Sequence, residues 1–304
     1  MQKVLILCGP TASGKTNLAH CLALMYNGEI INIDSMQIYK NIPNITASPN
    51  LELTSELPYH LYNFQDVENP CSMVQYSILA IDKIKEVTER KKLPIIVGGT
   101  GMYINSLLYG YSNIPEISQE VKAHTKELHN KLGQKEFFAL LSSKDHASGV
   151  KLDQYDIQRS IRAYEVLLQT EQPISLYHQE NKSLPGEFSF EVIFLLPERS
   201  FLYNLCNKRL LDIFSRETID EIEALQASYP NLNTPAMKAI GIYEIKSYLK
   251  NIISFEEAIT QAQIRTRRYA KRQITWFTHQ IEHKQTLQYD DWNSYQNLIN
   301  NIKL

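Results

Sequence analysis

The chain has little cysteine: four residues, Cys8, Cys21, Cys71 and Cys206, none in a C-x-x-C pair. That excludes a disulfide framework and a thiolate zinc site, and it fits a reducing compartment. No apolar run approaches the ~18 residues of a membrane span. The run ending at Cys8 is too short for a signal peptide and lacks a cleavage pattern. A cytoplasmic location without membrane association is the expectation. A basic excess is missing as well. The formal charge is −2, so a nucleic-acid role has to come from a local patch. There are no internal repeats and no low-complexity segments. What is there, 43% apolar and 21% charged residues over 304 positions, suits a globular protein of about two domains.

Against this background one stretch organises the rest: Gly9-Pro10-Thr11-Ala12-Ser13-Gly14-Lys15-Thr16. It follows Lys3–Cys8, whose branched residues read as a buried strand, and it precedes an apolar-periodic segment, Leu18–Met25, that reads as a helix. Strand, G-x4-G-K-T and helix together are the context that a phosphate-binding loop requires. Gly9 and Gly14 let the backbone curl so that N–H groups point inward at phosphate oxygens. The helix N-terminus adds its positive dipole end. Lys15 supplies a point charge, and the Thr16 hydroxyl can hold Mg2+. The loop does not say which phosphate compound it binds.

Further along, Glu29–Ile33 reads as a second strand and ends in Asp34-Ser35-Met36-Gln37-Ile38-Tyr39. An acidic residue at a strand's carboxyl end beside a phosphate loop sits where ligands bind in open α/β sheets. A solvated helix cap is an equally good account of Asp34 on position alone. Residues 73–90 have helical spacing. Pro94–Val97 is a short buried strand running into Gly98-Gly99-Thr100-Gly101, where a backbone can approach a ligand closely and Thr100 offers a hydroxyl. Alternating strands and helices predict an α/β fold with a parallel sheet.

From about Asn113 to Pro185 the strand signal disappears. Segments 118–132, 134–142 and 154–169 read as helices, so residues 113–186 are expected to form an all-helical insertion between core segments 1–112 and 187–304. Within it, Gln158, Arg159 and Arg162 share a helix whose two arginines lie three residues apart; solvated surface positions explain them as well. Phe188–Leu196 returns to strand. Ser254-x-x-Glu257 reads as a capping box opening a long helix. From Ala258 through Ile281 that helix has no acidic residue but carries Arg265, Arg267, Arg268, Lys271 and Arg272, with Tyr269, Trp276 and Phe277 interleaved. Cations with aromatics suit phosphate contacts and base stacking. A helix burying its aromatics while its cations snorkel is the rival account. The tail, 283–304, is polar and informs little.

Taken jointly, the motifs 9–16, Asp-Ser-Met-Gln-Ile-Tyr (34–39), Val-Gly-Gly-Thr-Gly (97–101), the Asp156/Arg159/Arg162 stretch and Lys-Arg-Gln-Ile-Thr-Trp-Phe (271–277) resemble the tRNA dimethylallyltransferase family, in the family's order and over nearly the whole chain. The resemblance implies a P-loop NTPase-like core, transfer of a dimethylallyl group from dimethylallyl diphosphate to N6 of the adenosine 3′ of the anticodon in tRNA, release of pyrophosphate, and assistance by Mg2+ on Thr16. It implies Asp34 as base, Thr100 near the bridging oxygen, Lys15 and Arg209 on the diphosphate, and tRNA contacts from Asp34, Ser35, Met36, Gln37, Gln158, Arg159, Arg162, Arg268, Lys271, Arg272, Gln273 and Trp276. A monomer is expected. The chain departs from the family pattern at Ser48, where a lysine is usual, at Tyr59, at Leu205, where an arginine is usual, and at Thr218. On residues alone three alternatives stay open: a small-molecule or nucleoside kinase on the same loop, the same transfer onto a free adenine nucleotide, and an RNA-binding protein using the loop as a nucleotide switch.

Overall fold

Val4 through Cys8 are completely buried, so the strand they form, β1 (Gln2–Cys8), runs through the interior of its sheet rather than along an edge. The computed structural model describes residues 1–179, 181–182 and 186–302. In chain order β1 is followed by α1 (Lys15–Tyr26), β2 (Gly28–Asn32), α2 (Pro43–Thr46), α3 (Leu51–Glu56), β3 (Tyr59–His60), α4 (Met73–Glu89), β4 (Leu93–Gly98) and α5 (Gly101–Tyr109). Then come β5 (Tyr111–Ser112), α6 (Gln119–Lys144), α7 (His146–Lys151), α8 (Ile157–Thr170), α9 (Ile174–Gln179) and β6 (Asn181–Lys182). The last stretch holds β7 (Phe188–Pro197), α10 (Arg199–Ile213), α11 (Arg216–Ser228), a 3-10 turn (Pro235–Lys238), α12 (Ile242–Leu249), α13 (Phe255–Gln280), β8 (Gln285–Tyr289) and α14 (Trp292–Asn301).

Six strands form one all-parallel sheet in the order β3-β2-β4-β1-β7-β8. β1 has a partner on each side, with Cys8 level with both Gly98 and Phe194. A parallel strand covered on both faces needs a continuous apolar run, and the Val-Leu-Ile-Leu stretch of β1 provides it. One face is filled by Leu5, Leu7, Ile95, Val97 and Ile193 with Leu18 and Leu22 of α1 and Tyr295 and Ile299 of α14. On the sheet's other side Phe277 of α13 meets Phe194, with ring centroids 5.7 Å apart. Each fully buried leucine, isoleucine or phenylalanine contributes about 1.5–3 kcal/mol relative to exposure.

The chain divides into two units, Met1–Leu108 with Pro185–Leu304, and Tyr109–Leu184. The second unit has its own small core of Phe137, Leu141, Ala163 and Tyr164, where α6 meets α8. Gly133, at φ 75° and ψ 165°, interrupts α6 where the sequence places a break. This unit is not all-helical as expected: Tyr111 and Ser112 pair antiparallel with Lys182 and Asn181. Two-residue strands leave no periodicity to read. The larger correction concerns the tail. Residues 285–289 add the edge strand β8 in parallel register with β7, Ile193 opposite Gln285 and Pro197 opposite Tyr289, and α14 then folds onto the core. Only Leu287 and Tyr289 of β8 point inward, too few to outweigh its polar neighbours in a sequence reading.

Candidate active site

All six strands run the same way, so their carboxyl ends meet along one edge, and the residues that follow them meet there too. After β1 the loop 9–14 turns sharply into α1. Gly9 (φ 152°) has the carbonyl of Leu195 where a Cβ would stand, and Gly14 is left-handed at φ 76°. Ala12 is also left-handed, at φ 63°. The carbonyl of Pro10 accepts from Ser13 Oγ at 2.8 Å and from Lys15 Nζ at 2.5 Å. Lys15 therefore curls back over its own loop. Burial, and then repulsion by Arg209, push its pKa down to about 8, against a smaller opposing pull from Asp34. The Thr16 hydroxyl has no hydrogen-bond partner among the described residues.

At the end of β2 the buried Asn32 sets the course of the chain: its Oδ1 accepts from Asp34 N at 2.8 Å and its Nδ2 donates to Leu61 O at 2.9 Å. Asp34 Oδ1 in turn accepts from Met36 N at 2.8 Å, leaving Oδ2 for other work. A Cβ on Gly98 would come within 2.6 Å of the Ile33 carbonyl carbon, so glycine is what lets the ends of β4 and β2 touch. That contact brings Thr100 to Ser35: Thr100 Oγ1 accepts from Ser35 N at 2.9 Å and donates to Ser35 Oγ at 3.2 Å.

Arg209 comes from α10, whose N-terminus is capped by Glu198 directly after β7. Its guanidinium donates to Thr46 O at 3.3 Å, and burial draws its pKa below the ordinary value, while Asp34 raises it. Thr11, Asp34, Ser35, Arg209, Arg268 and Arg272 all line one cavity of about 530 Å³, with Ile45, Leu210 and Ile213 giving it an apolar wall. A shallower groove along α13 is lined by Arg268, Lys271, Arg272, Trp276 and His279.

The capping box at Ser254 and Glu257 is present, with bonds of 3.1 and 2.7 Å, and α13 is one continuous helix. Its cations divide into two groups. Arg265 pairs with the buried Glu244 at 2.6 Å, and Arg267 donates to Asn207 Oδ1 at 2.5 Å. Arg268, Lys271 and Arg272 are exposed, without hydrogen-bond or ion-pair partners among the described residues; Arg272 lies 5.8 Å from the Tyr269 ring centroid. Gln273, expected among the tRNA contacts, is only 6% exposed and faces the core. Trp276 covers Gly101, where a Cβ would meet its ring at 2.3 Å, and its edge remains in the groove. Gln37, also expected to touch tRNA, donates its side-chain amide to the carbonyls of Thr46 and Ala47 at 3.1 and 2.8 Å. Gln158, Arg159 and Arg162 lie on α8 of the second unit, Arg159 beside Asp156 at 3.3 Å and Arg162 beside Glu165 at 3.5 Å. Ser48 bonds Asn63 Oδ1 at 3.0 Å in place of the cation usual at its position.

Two residues that sequence reasoning missed brace the loop from behind. Tyr289 donates its hydroxyl to Ser13 O, and Tyr295 donates to Gly14 O at 2.8 Å. With those carbonyls held outward, the N–H groups of the following residues face the other way, toward an anion.

A phosphate loop on a central strand of an all-parallel sheet, with a carboxylate and a hydroxyl at neighbouring strand ends, defines a P-loop α/β protein. The comparisons narrow the class: a family model described as IPP transferase matches residues 37–280, and the chain belongs to this family. It is 52% identical over 294 residues to the tRNA dimethylallyltransferase of Rickettsia bellii (strain OSU 85-389), covering 96% of this chain and 93% of that one. It is 48% identical to the tRNA dimethylallyltransferase of Rickettsia conorii, covering 99% and 83%. Among solved structures it is similar to the tRNA isopentenylpyrophosphate transferase of Bacillus halodurans (TM-score 0.69, 30% identity, 99% and 95% covered). It also resembles a eukaryotic dimethylallyltransferase acting on tRNA (TM-score 0.80, 25% identity, 98% and 78% covered).

Proposed function

We propose that this chain transfers the dimethylallyl group of dimethylallyl diphosphate to N6 of the adenosine 3′-adjacent to the anticodon, in tRNAs reading codons that begin with U. The observation that carries the reading is the shared cavity: the phosphate loop at Thr11, the carboxylate of Asp34, the half-buried Arg209 and two α13 arginines, Arg268 and Arg272, without ion-pair partners among the described residues border one space. A kinase gathers arginines on its phosphates as well; the groove of Arg268, Lys271, Arg272 and Trp276 that continues along α13 is what favours a nucleic-acid acceptor.

In the reaction a bond forms between N6 and C1 of the dimethylallyl group while the C1–O bond breaks. The electron pair leaves with the bridging oxygen of pyrophosphate, and the proton of N6 goes to Asp34. Negative charge grows on the leaving group, so the loop N–H groups, Lys15 and Arg209 stabilise the transition state more than the ground state. The exocyclic amine is a weak nucleophile, and Asp34 Oδ2 orients it and takes its proton. Thr100 serves the bridging oxygen by turning its hydroxyl away from Ser35.

The donor set suits Mg2+. No group of three His, Cys, Asp or Glu side chains among the described residues could hold a metal alone. The free Thr16 hydroxyl at the head of α1, together with substrate phosphate oxygens and water, matches the ligand preference of Mg2+. When bound there the ion neutralises diphosphate charge. The target base has to leave its stack to enter the cavity, and Arg268, Lys271 and Arg272 supply phosphate contacts for the RNA that carries it. No helix among the described residues is long and apolar enough to cross a membrane.

Mass spectrometry of unmodified tRNA after incubation with the protein, Mg2+ and dimethylallyl diphosphate tests the proposal against an ATP-only control. One added dimethylallyl group on an anticodon-loop adenosine is the expected result. No gain on competent tRNA, with ATP turnover stimulated by a small hydroxyl compound, would favour a kinase instead.

A further inference from the structure

The buried stripe of α13 reads Ala258, Ala262, Thr266, Ala270, Gln273, Phe277. A primary amide in such a stripe is costly unless both of its ends are bonded. Both are: Gln273 Oε1 accepts from the N–H of Thr11 at 2.8 Å, and Nε2 donates to the carbonyl of Gly99 at 2.8 Å. The partners fix the amide's orientation, because only its oxygen can face an N–H and only its nitrogen can face a carbonyl. Room for it comes from Gly99, where a Cβ would stand 2.3 Å from Nε2.

Three parts of the site thus meet at one side chain. Thr11 belongs to the phosphate loop. Gly99 precedes Thr100, whose hydroxyl holds Ser35 beside Asp34. The helix carrying Gln273 presents Arg268, Lys271 and Arg272 on its exposed side. We infer that Gln273 is a positioning residue that locks the phosphate loop, the Gly99–Thr100 turn and the RNA-facing helix in register, so that the diphosphate and the incoming base are held at a fixed separation. It acts from behind the site and touches neither substrate. The inference rests on the proposed prenyl transfer for what the register serves. A misplacement of about 1 Å between reacting groups costs roughly 10²-fold in rate, which a mobile loop 9–14 would incur.

Gln273→Met keeps the volume and removes both bonds. It should raise the Kd for inorganic pyrophosphate about 3–30-fold and lower kcat at saturating tRNA about 10–100-fold. The Kd for an anticodon stem-loop should stay within about twofold, since no RNA-facing side chain changes. Gly99→Ala displaces the same amide from the other side and should reproduce the pyrophosphate effect. Combined with Gln273→Met it should add little, because both break one contact. This second variant keeps the inference testable if the first fails to fold. A weakened stem-loop Kd with unchanged kcat would make Gln273 an RNA contact and overturn the inference. So would an unchanged pyrophosphate Kd in both variants, or a wild-type protein that binds no pyrophosphate. A wild-type protein that binds pyrophosphate but modifies no tRNA sinks the prenyl-transfer reading alone, and the pyrophosphate arm still decides the lock.

Discussion

The hydroxyl of Tyr295 donates to the carbonyl of Gly14 at 2.8 Å, and its ring lies where a side chain at Gly14 would project, 3.0–3.1 Å from an added Cβ. The last helix of the chain thereby supports the second glycine of the phosphate loop. Tyr295 is 1% exposed and belongs to the core beside Leu18 and Leu22. Tyr295→Phe removes that bond and the longer one its hydroxyl accepts from Asn17 Nδ2 at 3.4 Å, and should cost about 0.5–1.5 kcal/mol. Tyr295→Ala opens a cavity and should cost about 3–5 kcal/mol. Urea denaturation measures both. Pyrophosphate affinity should fall in Tyr295→Phe while stem-loop affinity holds; equal loss of both would mean that the tyrosine does no more than stabilise the fold.

Asp34→Asn is the cleanest test of the base. The amide oxygen can still accept from Met36 N, as Asp34 Oδ1 does at 2.8 Å, so the turn after β2 is preserved. Proton acceptance is lost. The expected outcome is a fall in kcat of roughly 10²–10⁴-fold with little change in tRNA affinity. Single-turnover kinetics with tRNA in excess reads this directly, and an unaltered rate would remove the role.

Much of this site was legible in the sequence, and the reasons divide cleanly. The phosphate loop, Asp34 and Thr100 are local signals: each follows an apolar strand, and parallel topology alone brings strand ends together. Gln273 and Tyr295 depend on contacts between residues 262 and 281 positions apart, which no local pattern encodes. Gln273 did carry one readable sign. Ala258, Ala262, Thr266 and Ala270 recur at helical spacing, and the stripe they form leads to position 273 rather than to its cationic neighbours. The density of charge around 271–272 hid that sign. The Arg265–Glu244 pair was hidden in the same way, since the acid lies on another helix.

The cations of α13 should separate by function. Neutralising Arg268 and Arg272 to Gln removes exposed charges without ion-pair partners among the described residues, so stem-loop binding should weaken and the slope of log K against log salt should shrink by about 1.4–1.8. Thermal stability should be nearly unchanged. Arg265→Gln behaves differently, because it leaves Glu244, 1% exposed, with the Gly241 N–H as its one partner among the described residues. Since the Arg265 side chain is 42% exposed, solvent screening reduces the loss to about 1–3 kcal/mol of stability. Loss of RNA affinity in Arg265→Gln equal to that of the double variant would contradict this division.

Lys15 makes donor binding depend on pH, and the sign follows from its position. Burial and Arg209 lower its pKa from 10.5 to about 8. Below that value the free protein holds a charged Lys15 ready for diphosphate; above it the amine is neutral and must regain a proton to pair with the anion. Pyrophosphate affinity should therefore be level up to about pH 8 and then weaken, by up to about tenfold per unit. The nearby thiols do not confuse the profile, because burial pushes Cys8 up to about 12 and Cys206 up to about 11. Folding responds in the opposite sense. The unfolded chain keeps this proton to about 10.5, so between 8 and 10.5 it binds more protons than the fold, and Lys15's contribution to the stability of the ligand-free protein rises with pH. Lys15→Met should thus stabilise the ligand-free protein at pH 7 while abolishing pyrophosphate binding. Lys15→Arg keeps its charge past pH 12 and should flatten the affinity profile, any remaining slope belonging to pyrophosphate itself. Calorimetric titration from pH 6.5 to 9.5 compares the two proteins, and identical slopes in wild type and Lys15→Arg would show that Lys15 keeps its proton throughout.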